Sequence, residues 1–320
     1  MPAPDFDGKT ERTDSARRVL RLKSGKNNIM KKQKQPTPSE NIEGKKRNPK
    51  NIIAGLIFLA GFCICFYPMF ANLVNGVRMG EAVSEYTNQS ANTDEAVKAQ
   101  MLAAADAYNM DIAQRGVNVH DPAWKATYDK QLKLGIMPIM GVLSIRKIGV
   151  RLPVYHGTDI GVLQVGAGHF EPSSLPVGGP GTHSVVTAHT GLPSARMFTD
   201  LHKLQKGDIF SYVCLDRKVT YQVDDIKTVY PDETGAVKIE PGQDLSTLIT
   251  CTPYNLNATR LLVRGRRVPN SYDVQGLGMT FVWPWDAVAM APYILSILLI
   301  LVLAHHLVRR RRQLKKTGKE

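Results

Sequence analysis

Cysteine is scarce in this chain, with four residues in 320. Two of them, Cys63 and Cys65, fall inside a long apolar run, which leaves Cys214 and Cys251 for the rest of the protein. At most one disulfide is therefore available outside that run, a Cys214–Cys251 bridge of the kind an oxidising compartment permits, and the sequence leaves it open. Cys214 sits mid-pattern in Phe210-Ser211-Tyr212-Val213-Cys214-Leu215, which reads as a buried free thiol. Asp, Glu, His and Cys nowhere gather at metal-ligand spacing, so neither a metal nor another cofactor is expected. A basic folded domain is missing too. The formal charge is +13, yet residues 71–285 carry 20 basic and 20 acidic side chains. The excess belongs to the ends, 14 against 6 up to Phe70 and 7 against 2 from Asp286 onward. Nucleic-acid binding wants a basic face with aromatics on the folded part, and that class is set aside.

Charge is absent altogether from two stretches, 51–71 and, with His305 and His306 neutral, 287–307. Each reaches the roughly 20 residues needed to cross about 30 Å of hydrocarbon. Lys45, Lys46, Arg47 and Lys50 precede the first; Arg309 to Arg312, Lys315 and Lys316 follow the second. Positive charge outside both spans predicts a two-pass protein of the cell membrane with both termini cytoplasmic and the residues between facing outward. Trp283, Trp285 and Tyr293 suit the outer interface. The first run is also weighed as a cleaved signal peptide, whose apolar region is about 7–15 residues. This run is longer, and its best cleavage candidate, Met69-Phe70-Ala71, is poor. The expected order is a disordered basic tail at 1–50, a span at 51–71, a helical region at 72–139, a β domain at 140–270, a linker at 271–286, a span at 287–307 and a basic tail at 308–320.

Between the spans, residues 94–114 carry a helical pattern with Val97, Met101 and Tyr108 near one face. Thr93 or Asp94 caps its start and Gly116 its end. A second short helix is expected at 124–134. Eight short candidate strands follow, at 142–145, 150–155, 183–187, 209–215, 219–223, 226–230, 248–251 and 260–268. Short strands punctuated by Gly, Pro and Asp describe a mainly β fold, a closed barrel or sandwich, rather than a wound α/β sheet. Cys251 ends one strand and Arg260 opens the next across a loop containing Pro253 and two Asn residues. If these strands pair, a thiol stands beside a guanidinium, the minimum kit for acyl transfer. His189 closes another apolar run at a Gly-Pro loop, where catalytic groups are often held. The remaining histidines of the domain, His156, His169, His183 and His202, read as structural, and Arg264, Arg266 and Arg267 as a solvated strand edge.

The wider pattern resembles the sortases, membrane-anchored transpeptidases of Gram-positive bacteria, and within them the pilus-assembling class C. The stretches that carry the likeness are Leu152-Pro153-Val154-Tyr155-His156-Gly157-Thr158, Gly168-His169-Phe170-Glu171 and Ser174-Leu175-Pro176-Val177-Gly178-Gly179. Further on come Leu192-Pro193-Ser194-Ala195-Arg196-Met197-Phe198-Thr199-Asp200-Leu201, Thr250-Cys251-Thr252-Pro253-Tyr254 and Arg260-Leu261-Leu262-Val263-Arg264-Gly265. The resemblance implies an eight-stranded β-barrel with N-terminal helices, Cys251 as nucleophile, His189 as general acid/base and Arg260 as oxyanion stabiliser. It implies as partners pilins or surface proteins that carry a C-terminal Leu-Pro-x-Thr-Gly sorting signal, cut between Thr and Gly. A lysine amine of another pilin would then resolve the thioacyl enzyme. Two other readings stay open: a housekeeping-type sortase that joins surface proteins to a cell-wall precursor, and a non-catalytic membrane-tethered binding module with a Cys214–Cys251 disulfide.

Departures from the class pattern are Asn255 for Gly, Thr259 for His and Thr190 for Arg. The class lid motif, Asp-Pro-aromatic, is altered as well. Asp121-Pro122-Ala123-Trp124 puts Ala in the aromatic slot and Trp one place later. Asp121, Pro122 and Trp124 are thus either a lid over the catalytic groove or a Pro-started helix with Trp124 as a core anchor.

Overall fold

The computed structural model describes residues 49–192, 194–253, 256, 258–273, 294–300, 302–303, 305–306 and 308–310. The first helix, α1 (Pro49–Asn92), runs far past the apolar stretch that ends at residue 71. Its C-terminal half buries Met79, Val83 and Tyr86, spaced four and three apart so that they share one face. Among the described residues one helix, Gly55–Asn92, is long and apolar enough to cross a membrane. The tail at 1–48, the linker from 274 and the tail from 311 lie outside the described residues, as does part of the second apolar run. The described residues of that run from 294 onward are helical.

Eight strands close into a barrel in the order β1-β2-β3-β4-β7-β8-β6-β5. They are β1 (Ile139–Ile145), β2 (Val150–His156), β3 (Ala167–His169), β4 (Thr182–Thr187), β5 (Ile209–Cys214), β6 (Arg217–Val229), β7 (Asp244–Thr252) and β8 (Thr259–Val268). The expected number is reached by a different route. β3 has only three residues, Ala-Gly-His, too few to show an alternating pattern, and it was not anticipated. The candidates at 219–223 and 226–230 form one strand, β6. Its pairing with β8 shifts between Val223 and Asp225, so Asp224 is an extra residue bulged out of the ladder. The bulge frees its carboxylate to take the Arg264 guanidinium at 3.1 and 3.0 Å. Arg264 is therefore a paired group rather than a loose solvated edge.

The barrel is filled from within by Tyr212, Tyr221, Phe210 and Leu143, all essentially inaccessible. Gly141 lets β1 and β5 close. A Cβ there would meet the Cys214 Sγ at 2.6 Å. Strand directions give the barrel two distinct rims. The C-terminal ends of β4 and β7 and the first residues of β8 share one. The β5–β6 turn, the start of β7 and the end of β8 share the other.

Two more helices that precede the strands in sequence lie on the barrel. α2 (Glu95–Arg115) starts at Asp94, whose carboxylate accepts from Ala96 N, and stops at Gly116, as expected. Its buried face is Lys98, Leu102, Ala105, Tyr108, Asn109 and Ile112, rotated from the expected one, and Val97 is exposed. Two polar residues explain the shift. Asn109 exchanges hydrogen bonds with both backbone groups of Leu175, and Lys98 buries its aliphatic stem while its Nζ reaches Glu95 and Asp216. α3 (Pro122–Tyr128) is shorter than the expected 124–134. Leu132, buried with φ 53°, takes the left-handed conformation that no right-handed helix continues.

Tyr86 is the bolt between α1 and the far rim. Its hydroxyl donates to Met140 O (3.1 Å) at the start of β1 and accepts from Leu215 N (2.8 Å) in the β5–β6 turn. Tyr86→Phe strands both buried backbone groups. Unfolding monitored by tryptophan fluorescence should lose about 1–3 kcal/mol of stability, and an unchanged midpoint would assign the joint to apolar packing alone.

Candidate active site

β4 and β7 run parallel with Thr187 opposite Ile249. The hydrogen bond from Ala188 N to Ile249 O (3.2 Å) carries that ladder one residue beyond β4, and Thr250 Oγ1 donates to Ala188 O at 2.8 Å. The next residue, His189, therefore stands level with Cys251. On the other side β7 pairs antiparallel with β8, and Cys251 lies directly opposite Arg260. Neighbouring strands are about 4.8 Å apart, so Cys251 and Arg260 form one row on β7 and β8, and the loop that leaves β4 carries His189 to the same rim.

Side-chain direction follows from the period of two. Thr247, Ile249 and Cys251 share a face of β7, opposite Arg264, Leu262 and Arg260 on β8. That face is the barrel's outer side. Thr247 Oγ1 meets His183 Nε2 at 2.7 Å, and Arg264 reaches Glu240 in the β6–β7 connection at 3.2 Å. His183 Nδ1 lies 2.7 Å from Lys238 O in the same connection, so this segment crosses the outer face below the row. Thr187, Ile249 and Leu262 make the floor between it and the rim. Cys251, His189 and Arg260 are all half-buried, within reach of an incoming chain.

The surroundings hold each member differently. The His189 carbonyl accepts from Phe198 N (3.0 Å), and Phe198 is fully buried, so the loop beyond β4 is tied down at its base. Desolvation lowers the His189 pKa from the ordinary value of 6.5, which favours the neutral imidazole. Thr259, standing where the class pattern has His, donates its hydroxyl to Thr252 O at 2.8 Å and closes the ladder just beyond Cys251. Arg260 Nη1 donates to Thr259 O at 3.1 Å. Asn255 lies outside the described residues. Cys214 and Cys251 are both free thiols. Cys214 is enclosed on β5, its Sγ 3.3 Å from Pro176 O, and burial pushes its pKa up to about 12. This overturns the Cys214–Cys251 disulfide on which the binding-module reading rested.

The structure thus pairs Cys251 with Arg260 and brings the loop that begins at His189 to the same rim. It places Asp121, Pro122 and Trp124 at the start of α3, with Asp121 accepting from Ala123 N (2.9 Å) as N-cap and Pro122 opening the first turn. Trp124 stacks on Tyr128 with centroids 5.8 Å apart. Tyr128 is a hub that sequence reasoning missed. Its hydroxyl accepts from Gly157 N (3.0 Å) and lies 3.0 Å from His169 Nδ1. His169 Nε2 faces Ser174 O at 2.8 Å and donates there, so Nδ1 is the bare acceptor of the Tyr128 hydroxyl proton. Burial holds His169 neutral, its pKa down to about 4. A tyrosine in a polar stretch gave no periodic signal of this role.

Comparison with known proteins agrees with the geometry. Residues 143–268 match the family model of the sortase domain. Sortase C1 from Streptococcus agalactiae is 44% identical, covering 59% of this chain and 99% of that one, with a TM-score of 0.58. Streptococcus pneumoniae sortase C is 42% identical, covering 59% and 97%, with a TM-score of 0.54. Sortase D of Bacillus subtilis is 30% identical over 131 residues, 40% of this chain and 63% of that protein. The match thus spans less than two thirds of this last relative, but nearly all of the streptococcal structures. With the barrel, its rim and the near-complete match to two solved class C structures in view, this chain belongs to the sortase family.

Proposed function

We propose that this chain is a cysteine transpeptidase that cleaves an LPxTG-type sorting signal between Thr and Gly and transfers the acyl group to a lysine amine of another pilin subunit. What supports this reading is the register that sets Cys251 opposite Arg260 on β7 and β8 and carries the β4–β7 ladder to Ala188, next to His189. The pilus assignment draws on the relatives. The S. pneumoniae enzyme is described for its pilin substrate specificity, and a group B Streptococcus sortase C, 35% identical, as pilus-related. α1 anchors the enzyme in the membrane, and the second apolar run returns the chain to it. The catalytic domain then lies outside the cell and both termini lie inside.

Cys251 is the nucleophile. Neutral His189 takes the thiol proton, and the sulfur attacks the Thr carbonyl carbon. The carbonyl electron pair moves onto oxygen, where the permanent charge of Arg260 stabilises it. When the C–N bond breaks, the His189 imidazolium gives its proton to the departing Gly amine and a thioester remains. A lysine amine then attacks that thioester, His189 removes the amine's extra proton, and the thiolate leaves. The His189 imidazolium returns that proton to the departing thiolate, which restores the starting thiol and neutral imidazole, and no other group is required for the balance. Asp121 and Trp124 take no part in these steps, and α3 acts as a brace through Tyr128.

Cys251→Ala should abolish pilin polymers while the protein still folds and inserts, and unchanged high-molecular-weight ladders would reject the role. In folded protein a thiosulfonate reagent should modify Cys251 and spare Cys214 until denaturant is added, as mass spectrometry reads directly. The pH profile of acyl-enzyme formation supplies a sign. Because burial lowers the His189 pKa, its base form persists below the ordinary value, so the acid limb should be centred below pH 6.5. A limb centred at 7 or above would remove His189 as the proton acceptor.

A further inference from the structure

α1 meets the barrel at two levels that the strand directions identify. Tyr86 is bolted to the far rim, and eleven residues earlier Asn75 Nδ2 donates to Ser194 O at 2.9 Å. Ser194 belongs to the tight turn closed by the Leu192–Ala195 bridge, in the loop that begins at His189. At 1.5 Å per residue the two contacts are about 16 Å apart along the helix. The helix therefore passes the catalytic rim first and the far rim second as it leaves the apolar run. Asn75 is also inside a stretch without formal charge that lasts from Asn51 to Val77, with Arg78 the first charged residue. Leu73, Val74 and Val77 remain exposed on this helix at the level of the contact.

We infer that the catalytic rim faces the lipid surface and that α1 is a ruler fixing the height of Cys251 above it. This rests on the proposed anchoring and sorting-signal chemistry and adds a specificity device. Among membrane-anchored substrates, the enzyme selects by the number of residues between the cleaved motif and the point of anchorage. A freely tethered domain would reach any spacer. A domain held through Asn75 and Tyr86 on one continuous helix has a narrow optimum.

The test uses the full chain in vesicles with membrane-anchored substrates whose spacer varies one residue at a time. A helical, charged seven-residue insert between Ala71 and Asn72 raises the rim by about 10 Å and returns the helix face to within about 20°. The optimum spacer should lengthen by about three residues, since an extended residue spans about 3.3 Å. A flexible Gly-Ser insert of equal length should broaden the optimum instead. An unmoved optimum with the helical insert overturns the ruler. Cleavage of a soluble motif peptide, followed in parallel, should be the same for all forms, and its absence from the unmodified chain defeats the proposed function rather than the ruler. A fluorescent amino acid placed at Ser194 provides a reading that needs no turnover. A headgroup-located quencher should dim it strongly and leave the same probe at Lys218, on the far rim, bright. Equal dimming at both positions would show that the rim does not face the lipid.

Discussion

Register is what everything at this site depends on. Cys251 opposes Arg260 only because β7 and β8 pair as they do, and His189 joins them only because the parallel β4–β7 ladder runs one residue past the end of β4. Side chains alternate between faces with a period of two, so a slip of one residue would turn Cys251 inward and leave Arg260 beside a different neighbour. Several contacts guard against that slip. Thr250 and Thr187 each hydrogen-bond across the β4–β7 seam, Thr259 ties to Thr252 just beyond the thiol, and the Asp224 bulge locks β6 to Arg264 two rows below. Few of these groups touch the chemistry. They fix where the chemistry happens.

The helices act on the same frame from outside. Asn109 on α2 satisfies both backbone groups of Leu175, and Tyr128 at the end of α3 links Gly157 to His169. These polar contacts sit where apolar packing alone would leave buried amides unpaired, which is costly. The connections between strands, rather than the strands themselves, receive most of this support. That suits a barrel whose candidate site residues stand at strand ends, where the connections begin.

How far the sequence revealed this follows from the kind of signal each feature leaves. Strands with clear apolar runs, such as 142–145 and 260–268, were legible, and so were the caps of α2. The catalytic candidates were visible because each ended or opened a run beside a turn. β3 was invisible because three residues hold no period. β6 was divided in two because a bulge puts consecutive Asp residues in mid-strand, where polarity imitates a turn. The rotated face of α2 was missed because Lys98 and Asn109 are buried through hydrogen bonds, and a search for apolar spacing passes over them. Tyr128, Tyr86 and Asn75 act across as many as 129 positions of sequence, in pairs that no local pattern encodes.

Cys214 has one more consequence. It lies sealed against Gly141 and Pro176, and Cys63 and Cys65 belong to the apolar run, so a water-borne oxidant meeting the barrel finds a single thiol within reach. Oxidation of that atom silences the thiol without loosening any strand, because no cross-link holds the barrel together. Architecture and reactivity are thereby separated. The barrel survives changes in redox conditions that its own chemistry does not, and a reductant restores a reversibly capped sulfur to a scaffold that never came apart.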